Sequence, residues 1–165
     1  MEKVRILEIK ESVFADNDRQ ADQLRARLKE KGVFLMNLMS SPGSGKTTTL
    51  KKTIETLKND FRIGVMEADI DSDVDALAIA ETGAKAIQFD TGASKNVMIL
   101  SVPEGHDKPL KYPLMFEVCD AVLINKIDVL PYFDFDMELV KKYIYQRNPK
   151  AEIFPVSAKT GEGIE

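Results

Sequence analysis

The sequence of 165 residues has few of the side chains that cross-link a fold or bind transition metals. It contains one cysteine, one histidine and no tryptophan. A single cysteine excludes an internal disulfide and fits a reducing compartment, so we expect a cytoplasmic protein. Cys119 precedes an apolar run and is interpreted as a buried packing residue. His106 has no second ligand at metal spacing and is interpreted as an exposed loop residue.

The chain also lacks a long apolar run and an excess of basic residues. No stretch approaches the roughly 18 apolar residues that a membrane span needs. The charged N-terminus is not followed by the apolar segment of a signal peptide. The formal net charge is −4, whereas neutralising nucleic-acid phosphates requires a basic face. We therefore predict neither a membrane nor a nucleic-acid partner.

The most informative segment that is present is a glycine-containing turn, residues 40–47. An apolar run over 33–39 predicts a buried strand before it, and a helical pattern over 46–59 follows it. The turn matches the phosphate-binding pattern G-x-x-x-x-G-K-[ST], except that Ser40 replaces the first glycine. In such a loop backbone N–H groups cradle phosphates, the lysine reaches the β- and γ-phosphates, and the threonine hydroxyl ligates Mg²⁺. The predicted phosphate and Mg²⁺ residues here are Pro42, Gly43, Ser44, Gly45, Lys46, Thr47 and Thr48.

An acidic cluster follows the next predicted strand, residues 62–66. Carboxylates at the carboxyl end of a strand beside a phosphate loop lie where Mg²⁺ would be held. Asp69 is our first candidate, as a ligand directly or through water, and it joins Lys46 and Thr47 as a catalytic candidate. The other carboxylates also suit the start of a helix predicted over 71–80. The cluster consists of Glu67, Asp69, Asp71, Asp73 and Asp75.

The remaining apolar patterns alternate between strands and helices. This alternation predicts an α/β fold in three layers with a mainly parallel sheet. We expect an N-terminal extension, residues 1–32, packed on a single domain, residues 33–165. The extension holds a helix over 16–31 that ends at Gly32. Further strands are predicted over 84–89, 97–102, 121–124 and 152–156, a short helix within 110–118 limited by Pro113, and an amphipathic helix over 134–147.

Two more motifs indicate which nucleotide the phosphate loop serves. The segment 125–128 reads Asn-Lys-Ile-Asp directly after a predicted strand and resembles the base-recognition motif of GTP-binding proteins. The carboxylate of Asp128 can accept from the N1–H and 2-amino donors of guanine, which adenine does not have. The segment 157–159, Ser-Ala-Lys, follows the last predicted strand, where GTPases present a backbone N–H to guanine O6. The predicted guanine-site residues are Asn125, Lys126, Asp128, Ser157, Ala158 and Lys159.

Taken with the motifs above, the segments 38–48, 67–70 and 101–113 resemble HypB, the family of GTPases that help insert nickel into [NiFe] hydrogenase. The loop of that family also begins with serine. The resemblance implies a P-loop GTPase fold, GTP hydrolysis to GDP with Mg²⁺, a GTP-dependent homodimer and bound Ni²⁺ or Zn²⁺. It further implies a nickel chaperone and the hydrogenase large-subunit precursor as partners. Two alternatives stay open: a related metallochaperone GTPase for urease or a cobalamin enzyme, and a non-catalytic GTP-gated scaffold.

The chain departs from the HypB pattern in ways that bear on its metal chemistry. The family carries a Cys-His metal motif and a further strand after the turn that ends here at Gly92. The Cys- or His-rich N-terminus of many members is missing, and the chain stops where a closing helix should begin. Deleting an interior strand would open backbone groups and a core face together. We therefore hypothesise that Gly92 and Ala93 are not covalent neighbours in the native protein, and that a few dozen residues belong between them.

The motifs name no group that positions the attacking water. Asp71 and Asp73 are weak candidates, and no arginine finger can be assigned among the arginines of the chain. GTPases without such a contact hydrolyse GTP slowly. The sequence therefore predicts slow hydrolysis, as in a switch that lacks its activating contact.

Overall fold

A computed structural model describes residues 17–65 and 92–164. These residues fall into two compact units: the first holds 17–37 and 92–94, and the second holds 38–65 and 95–164. The predicted acidic cluster with Asp69, the predicted helix over 71–80 and the predicted strand over 84–89 lie outside the described residues. The boundary proposed at residue 32 stays a prediction.

Helix α1 of the first unit spans residues 17–30, in agreement with the predicted helix. It ends at Gly32, whose φ of 64° lies in the left-handed region. The N–H of Gly32 donates to the carbonyl of Lys29 at 3.1 Å, and the N–H of Val33 donates to that of Leu28 at 2.8 Å. This pair of bonds satisfies carbonyls that a helix end otherwise leaves open, and it fixes where the chain turns away.

One face of α1 packs against the short segment 92–94. Ala21 is buried on this face, and so are Gly92 and Ala93. A Cβ added to Gly92 would lie 3.1 Å from the carbonyl oxygen of Ala21, so the close approach requires glycine. The Nε of Arg25 donates to the carbonyl of Ala93 at 3.2 Å. Among the described residues of the first unit, this close backbone approach and the hydrogen bond from Arg25 join α1 to the segment 92–94.

The second unit is built on a parallel sheet with the strand order β1-β2-β3-β4. Strand β3 pairs in parallel with both β2 and β4, with Ser101 opposite Asn125 at the carboxyl end. The segments that follow parallel strands all begin at the carboxyl ends of those strands, and α/β proteins bind their ligands at this end of the sheet. The strands are β1 (Met36–Ser40, from residue 38 in this unit), β2 (Lys95–Ser101), β3 (Ala121–Asn125) and β4 (Glu152–Pro155).

Helices connect the strands and cover the sheet. Asp136 is the N-cap of helix α5 (Met137–Arg147), and its Oδ1 accepts from the N–H groups of Glu138 and Leu139 at 2.9 Å each. The helices are α2 (Lys46–Leu57), α3 (Lys108–Lys111), α4 (Pro113–Glu117) and α5 (Met137–Arg147), with 3₁₀ turns at Val102–Glu104 and Ile127–Tyr132. The central core comprises Met98, Leu100, Val102, Phe116, Cys119, Val122, Ile124, Val140, Ile144 and Ala151. The predicted α/β fold with a parallel sheet is confirmed.

Three local predictions are wrong or incomplete. Residues 62–65 form no strand, because none of the described strands supplies them with backbone hydrogen bonds. The strand predicted to be buried over 33–39 spans Met36–Ser40 and contains no buried residue. In α2, Thr49 is buried, whereas Leu57 is 37% exposed. Pro113 begins a second short helix instead of only ending one, since proline suits the first helical turn. Within the described ranges, no helix is both long and apolar enough to cross a bilayer.

Candidate nucleotide-binding site

The turn between β1 and α2 has a backbone shape that glycine permits. Gly43 and Gly45 have φ values of 77° and 98°, a region that costs other residues about 1–2 kcal/mol. A Cβ on Gly45 would also collide with the side-chain amide nitrogen of Asn125. The loop therefore keeps this shape only with glycine at these positions, which is the requirement of a phosphate-binding turn.

Helix α2 begins in this loop with an open N-terminus. No side chain caps it, and its first turn contains no acidic residue. The first N–H groups of a helix have no partner inside the helix, and the helix dipole adds positive potential there. Thr47 and Thr48 are exposed at this end. The hydroxyl of Thr49 instead turns back and donates to the carbonyl of Gly45 at 2.9 Å. These groups suit a bound phosphate.

Ser44 provides a second sign that the loop is shaped for a ligand. The residue is fully buried, and its hydroxyl oxygen has no hydrogen-bond partner in the described part of the chain. Its backbone N–H donates to the carbonyl of Ser41 at 3.2 Å. An unsatisfied buried polar group costs about 1–3 kcal/mol. This cost is consistent with a loop whose remaining hydrogen bonds are made to a bound anion.

Asn125 joins the phosphate loop to the segment after β4. Its side chain is buried at the end of β3, and its Nδ2 donates to the carbonyl of Ser44 at 2.9 Å. Its Oδ1 accepts from the backbone N–H of Ala158 at 3.1 Å. Lys126, at a left-handed φ of 65°, donates from Nζ to the carbonyl of Gly43 at 2.7 Å. The side chain of Asn125 thus braces the turn before α2 against the segment after β4.

A second hydrogen bond orients the carboxylate of Asp128. The hydroxyl of Ser157, which is fully buried, donates to Oδ1 of Asp128 at 2.6 Å and accepts from the N–H of Thr160 at 3.2 Å. The carbonyl of Ser157 accepts from the N–H of Gly161 at 2.8 Å. Lys159 is exposed beside these residues in sequence. The phosphate loop and the two predicted base segments are thus joined by direct hydrogen bonds, whereas Asp69 lies outside the described residues.

Sequence reasoning missed a buried ion pair next to the phosphate loop. Nζ of Lys108 contacts both Oε1 of Glu104 and the hydroxyl of Ser41. The other oxygen of Glu104 accepts from the N–H and hydroxyl of Ser101 at 2.7 and 2.9 Å. Burial on its own raises the pKa of Glu104, but the bonds from Lys108 and Ser101 outweigh it and lower the pKa. The spacing of Glu104 and Lys108 by four residues was the available signal.

Cys119 and His106 form no metal site in the part of the chain that is described, where no cluster of three metal-ligating side chains occurs. Cys119 is buried as predicted, and its thiol donates to the carbonyl of Phe116 at 3.2 Å. Burial raises the pKa of this thiol to about 11. His106 is half-buried and not exposed, since the ring of Phe135 packs edge-on against it at 6.0 Å. Its Nδ1 accepts from the N–H of Asp136 at 3.3 Å.

Known proteins are similar to this chain in both sequence and fold. The family model of the CobW/HypB/UreG nucleotide-binding domain matches residues 34–96. The hydrogenase maturation factor HypB of Azotobacter chroococcum is 38% identical over 202 positions, covering 97% of this chain and 66% of that protein. HypB of Escherichia coli K12 is 36% identical over 207 positions, covering 100% and 71%. The hydrogenase/urease maturation factor HypB of Helicobacter hepaticus is 33% identical over 204 positions, covering 96% and 84%.

Two crystal structures superpose on the fold. HypB from Archaeoglobus fulgidus gives a TM-score of 0.74 at 30% identity, covering 90% of this chain and 93% of that one. HypB from Helicobacter pylori in complex with nickel gives 0.71 at 32% identity, covering 87% of each chain. The chain spans about two thirds of the length of the Azotobacter and E. coli relatives.

The relatives are also longer inside the matched region. The alignment with the E. coli protein runs over 207 positions and takes in all of this chain. Because this chain has 165 residues, at least 42 of those positions have no residue here, that is, 207 less 165. This length agrees with the few dozen residues that we expect between Gly92 and Ala93.

Proposed function

Because this chain belongs to the hydrogenase maturation factor HypB family, we propose that it binds GTP in the cytoplasm and hydrolyses it slowly with Mg²⁺. In this way it assists the insertion of nickel during maturation of [NiFe] hydrogenase. The observation that carries the proposal is the pair of bonds made by Asn125. One buried amide binds both the carbonyl of Ser44 and the N–H of Ala158, and this supports a single nucleotide site built from the phosphate loop and the base segments.

Guanine is the base that this site favours. Ser157 occupies one oxygen of the Asp128 carboxylate, which leaves the second oxygen to accept from the N1–H and 2-amino groups of the base. Adenine has neither donor and would leave the second oxygen without a partner from the base. Ala158 and Lys159 complete the base side, with the stem of Lys126 along the ring face.

The phosphate side provides the chemistry of hydrolysis. Pro42, Gly43 and Gly45 shape the loop, and the N–H groups at the start of α2 receive the phosphates. Lys46 offsets the charge that develops on the transferred phosphoryl group. Thr47 would hold Mg²⁺, with Asp69 as the second proposed ligand, and the ion would supply positive charge that neutralises the phosphates during hydrolysis.

Nickel handling and partners follow from the family. The Helicobacter pylori structure contains nickel, and we propose Ni²⁺ or Zn²⁺ as the metal handled by this chain as well. A GTP-dependent homodimer, a nickel chaperone and the hydrogenase large-subunit precursor complete the proposal. The Helicobacter hepaticus relative carries the name of a hydrogenase/urease maturation factor, so urease is the second candidate for the metalloenzyme served.

Replacing one carboxylate oxygen of Asp128 by an amide nitrogen tests whether the site recognises guanine. Asp128→Asn should lower GTP affinity and favour xanthosine nucleotides, because the amide donates to the carbonyl that replaces the 2-amino group. Affinities for GTP, XTP and ATP are measured by competition against a fluorescent nucleotide. Asp134→Asn, an exposed acid outside the motif, is the matched control. Unchanged GTP preference in Asp128→Asn would contradict the proposed pose.

Turnover separates a GTPase from a GTP-gated scaffold. Lys46→Ala should abolish nucleotide binding, since it removes the side chain that reaches the β- and γ-phosphates. In the wild-type chain, single-turnover release of phosphate from GTP with Mg²⁺ should be slow but measurable, and it should be absent without Mg²⁺. Tight GTP binding with no phosphate release would favour the scaffold.

A further inference from the structure

Lys108 is the one strongly buried lysine among the described residues. Its side chain is 8% exposed, and that of its partner Glu104 is 15% exposed. A cation this buried requires compensating contacts. Lys108 finds three: the carboxylate of Glu104, the hydroxyl of Ser41, and the ring of Tyr112, whose centroid lies 5.4 Å from Nζ.

The contact with Ser41 places this cation on the phosphate loop. Ser41 is the first residue after β1, and its carbonyl accepts the N–H of Ser44 at 3.2 Å in the turn of the loop. Its hydroxyl accepts from Lys108, which lies 67 residues further along the chain. Ser41 is therefore held at its backbone by the loop itself and at its side chain by a residue of α3.

Glu104, the carboxylate partner of Lys108, is also held in place by hydrogen bonds. Glu104 accepts from the N–H and hydroxyl of Ser101, the last residue of β2. The chain of contacts Ser41–Lys108–Glu104–Ser101, here called the buried latch, thus ties the start of the phosphate loop to the end of β2. The charges of Glu104 and Lys108 offset one another, so the latch adds no net charge to the site.

We infer that Lys108 is a positioning residue for the phosphate loop, and that it acts through the hydroxyl of Ser41 by holding the loop in its nucleotide-binding shape. This role rests on the proposed nucleotide site. Because the latch is neutral, its effect is geometric: it restricts the loop before the ligand arrives, and preordering a binding loop lowers the cost of binding.

The first test compares nucleotide affinity in the full chain with the latch intact or broken. Lys108→Gln would leave a buried carboxylate unpaired, so the double variant Glu104→Gln/Lys108→Gln, which is neutral again, is the main probe. We expect its dissociation constants for GDP and GTP to rise about tenfold, the usual size for loss of a charge-assisted hydrogen bond. Fluorescent GDP and GTP are titrated, and the fitted stoichiometry reports the folded fraction.

Lys111 provides a matched control inside the same short helix. It pairs with Asp107 at 2.8 Å with the same spacing of four residues, but the two side chains are 61% and 45% exposed. Lys111→Gln should leave both dissociation constants unchanged. A change equal to that of the double variant would show that α3 acts through general charge or stability, and would overturn the inference.

Ser41 distinguishes positioning from ordinary packing. Ser41→Ala should reproduce the tenfold loss, Ser41→Thr should retain wild-type affinity, and adding Ser41→Ala to the double variant should cause little further loss. Additive losses, or wild-type affinity in the double variant at full stoichiometry, would overturn the role of Lys108. If the wild-type chain itself binds no guanine nucleotide, the proposed function fails, which is a different result from a failure of the latch.

Discussion

Strands β1 and β2 are neighbours in one parallel sheet, yet they are buried to very different degrees. The five residues from Val97 to Ser101 in β2 are all buried, whereas β1 has no buried residue and Met36 is 41% exposed. Strands of parallel sheets normally have both faces covered. In the described residues β1 lies at the edge of the sheet. The comparison teaches that the strand leading into the phosphate loop is much less covered than the strand paired beside it.

The strand that the HypB pattern predicts after Gly92 would account for this contrast. A further strand beside β1, such as the one that the HypB pattern places after Gly92, would cover its open edge. The hypothesis that Gly92 and Ala93 are not neighbours in the native protein stays a prediction. Peptide mapping of the native protein by mass spectrometry checks it, and a peptide that runs unbroken through residues 92 and 93 would contradict it.

The largest expected effect is the loss of folding stability when one leucine in each strand is replaced by alanine. Leu100→Ala in β2 should lower the free energy of unfolding by about 2–5 kcal/mol, because it opens a cavity in a fully buried core. Leu38→Ala in β1 should cost about 1 kcal/mol, since that side chain is only half-buried. Urea denaturation measures both. Equal losses would show that β1 is covered as well as β2.

Thiol reactivity should show the same contrast between an exposed position of β1 and the buried cysteine that precedes β3. Burial raises the pKa of Cys119, at the start of β3, to about 11 from an ordinary value of 9.0. Its thiolate fraction at mildly alkaline pH is therefore about 100-fold lower than that of an ordinary thiol. The matched probe is Met36→Cys in β1 in a Cys119→Ala background. Reaction with a disulfide reagent should be at least about 100-fold faster at position 36. Similar reaction rates at positions 36 and 119 would contradict the difference in burial between them.

The smallest expected effect concerns acid stability at the end of β2. The folded pKa of Glu104 is lowered, so its contribution to stability is complete above the unfolded pKa and is lost as pH falls through the folded value. Glu104→Gln should therefore be less stable than wild type near neutral pH, with the difference shrinking below about pH 4.5. Urea unfolding across this range measures it. Glu138→Gln, whose side chain is 83% exposed, should show no such convergence.

Local sequence patterns predicted the parts of the fold that depend on local chemistry. The phosphate loop, the segment 125–128 and strands β2 to β4 could be identified because each combines an apolar run with the residue types of its turn. The motifs also predicted the HypB family, and similarity to known HypB proteins confirmed it. The latch was missed because Ser41 and Lys108 are far apart in sequence. The face of α2 that buries Thr49 was missed because it depends on the loop that α2 leaves.

The buried amide of Asn125 has a thermodynamic consequence. It links the phosphate and base sides of the proposed nucleotide site, so ordering one side lowers the conformational entropy that the other still has to lose. Coupling free energies are reciprocal. A phosphate group in the loop should therefore tighten the binding of free guanosine by the same factor by which guanosine tightens the binding of that phosphate. In the proposed site, Asn125 would make the two halves of the nucleotide cooperative ligands, even when no covalent bond joins them.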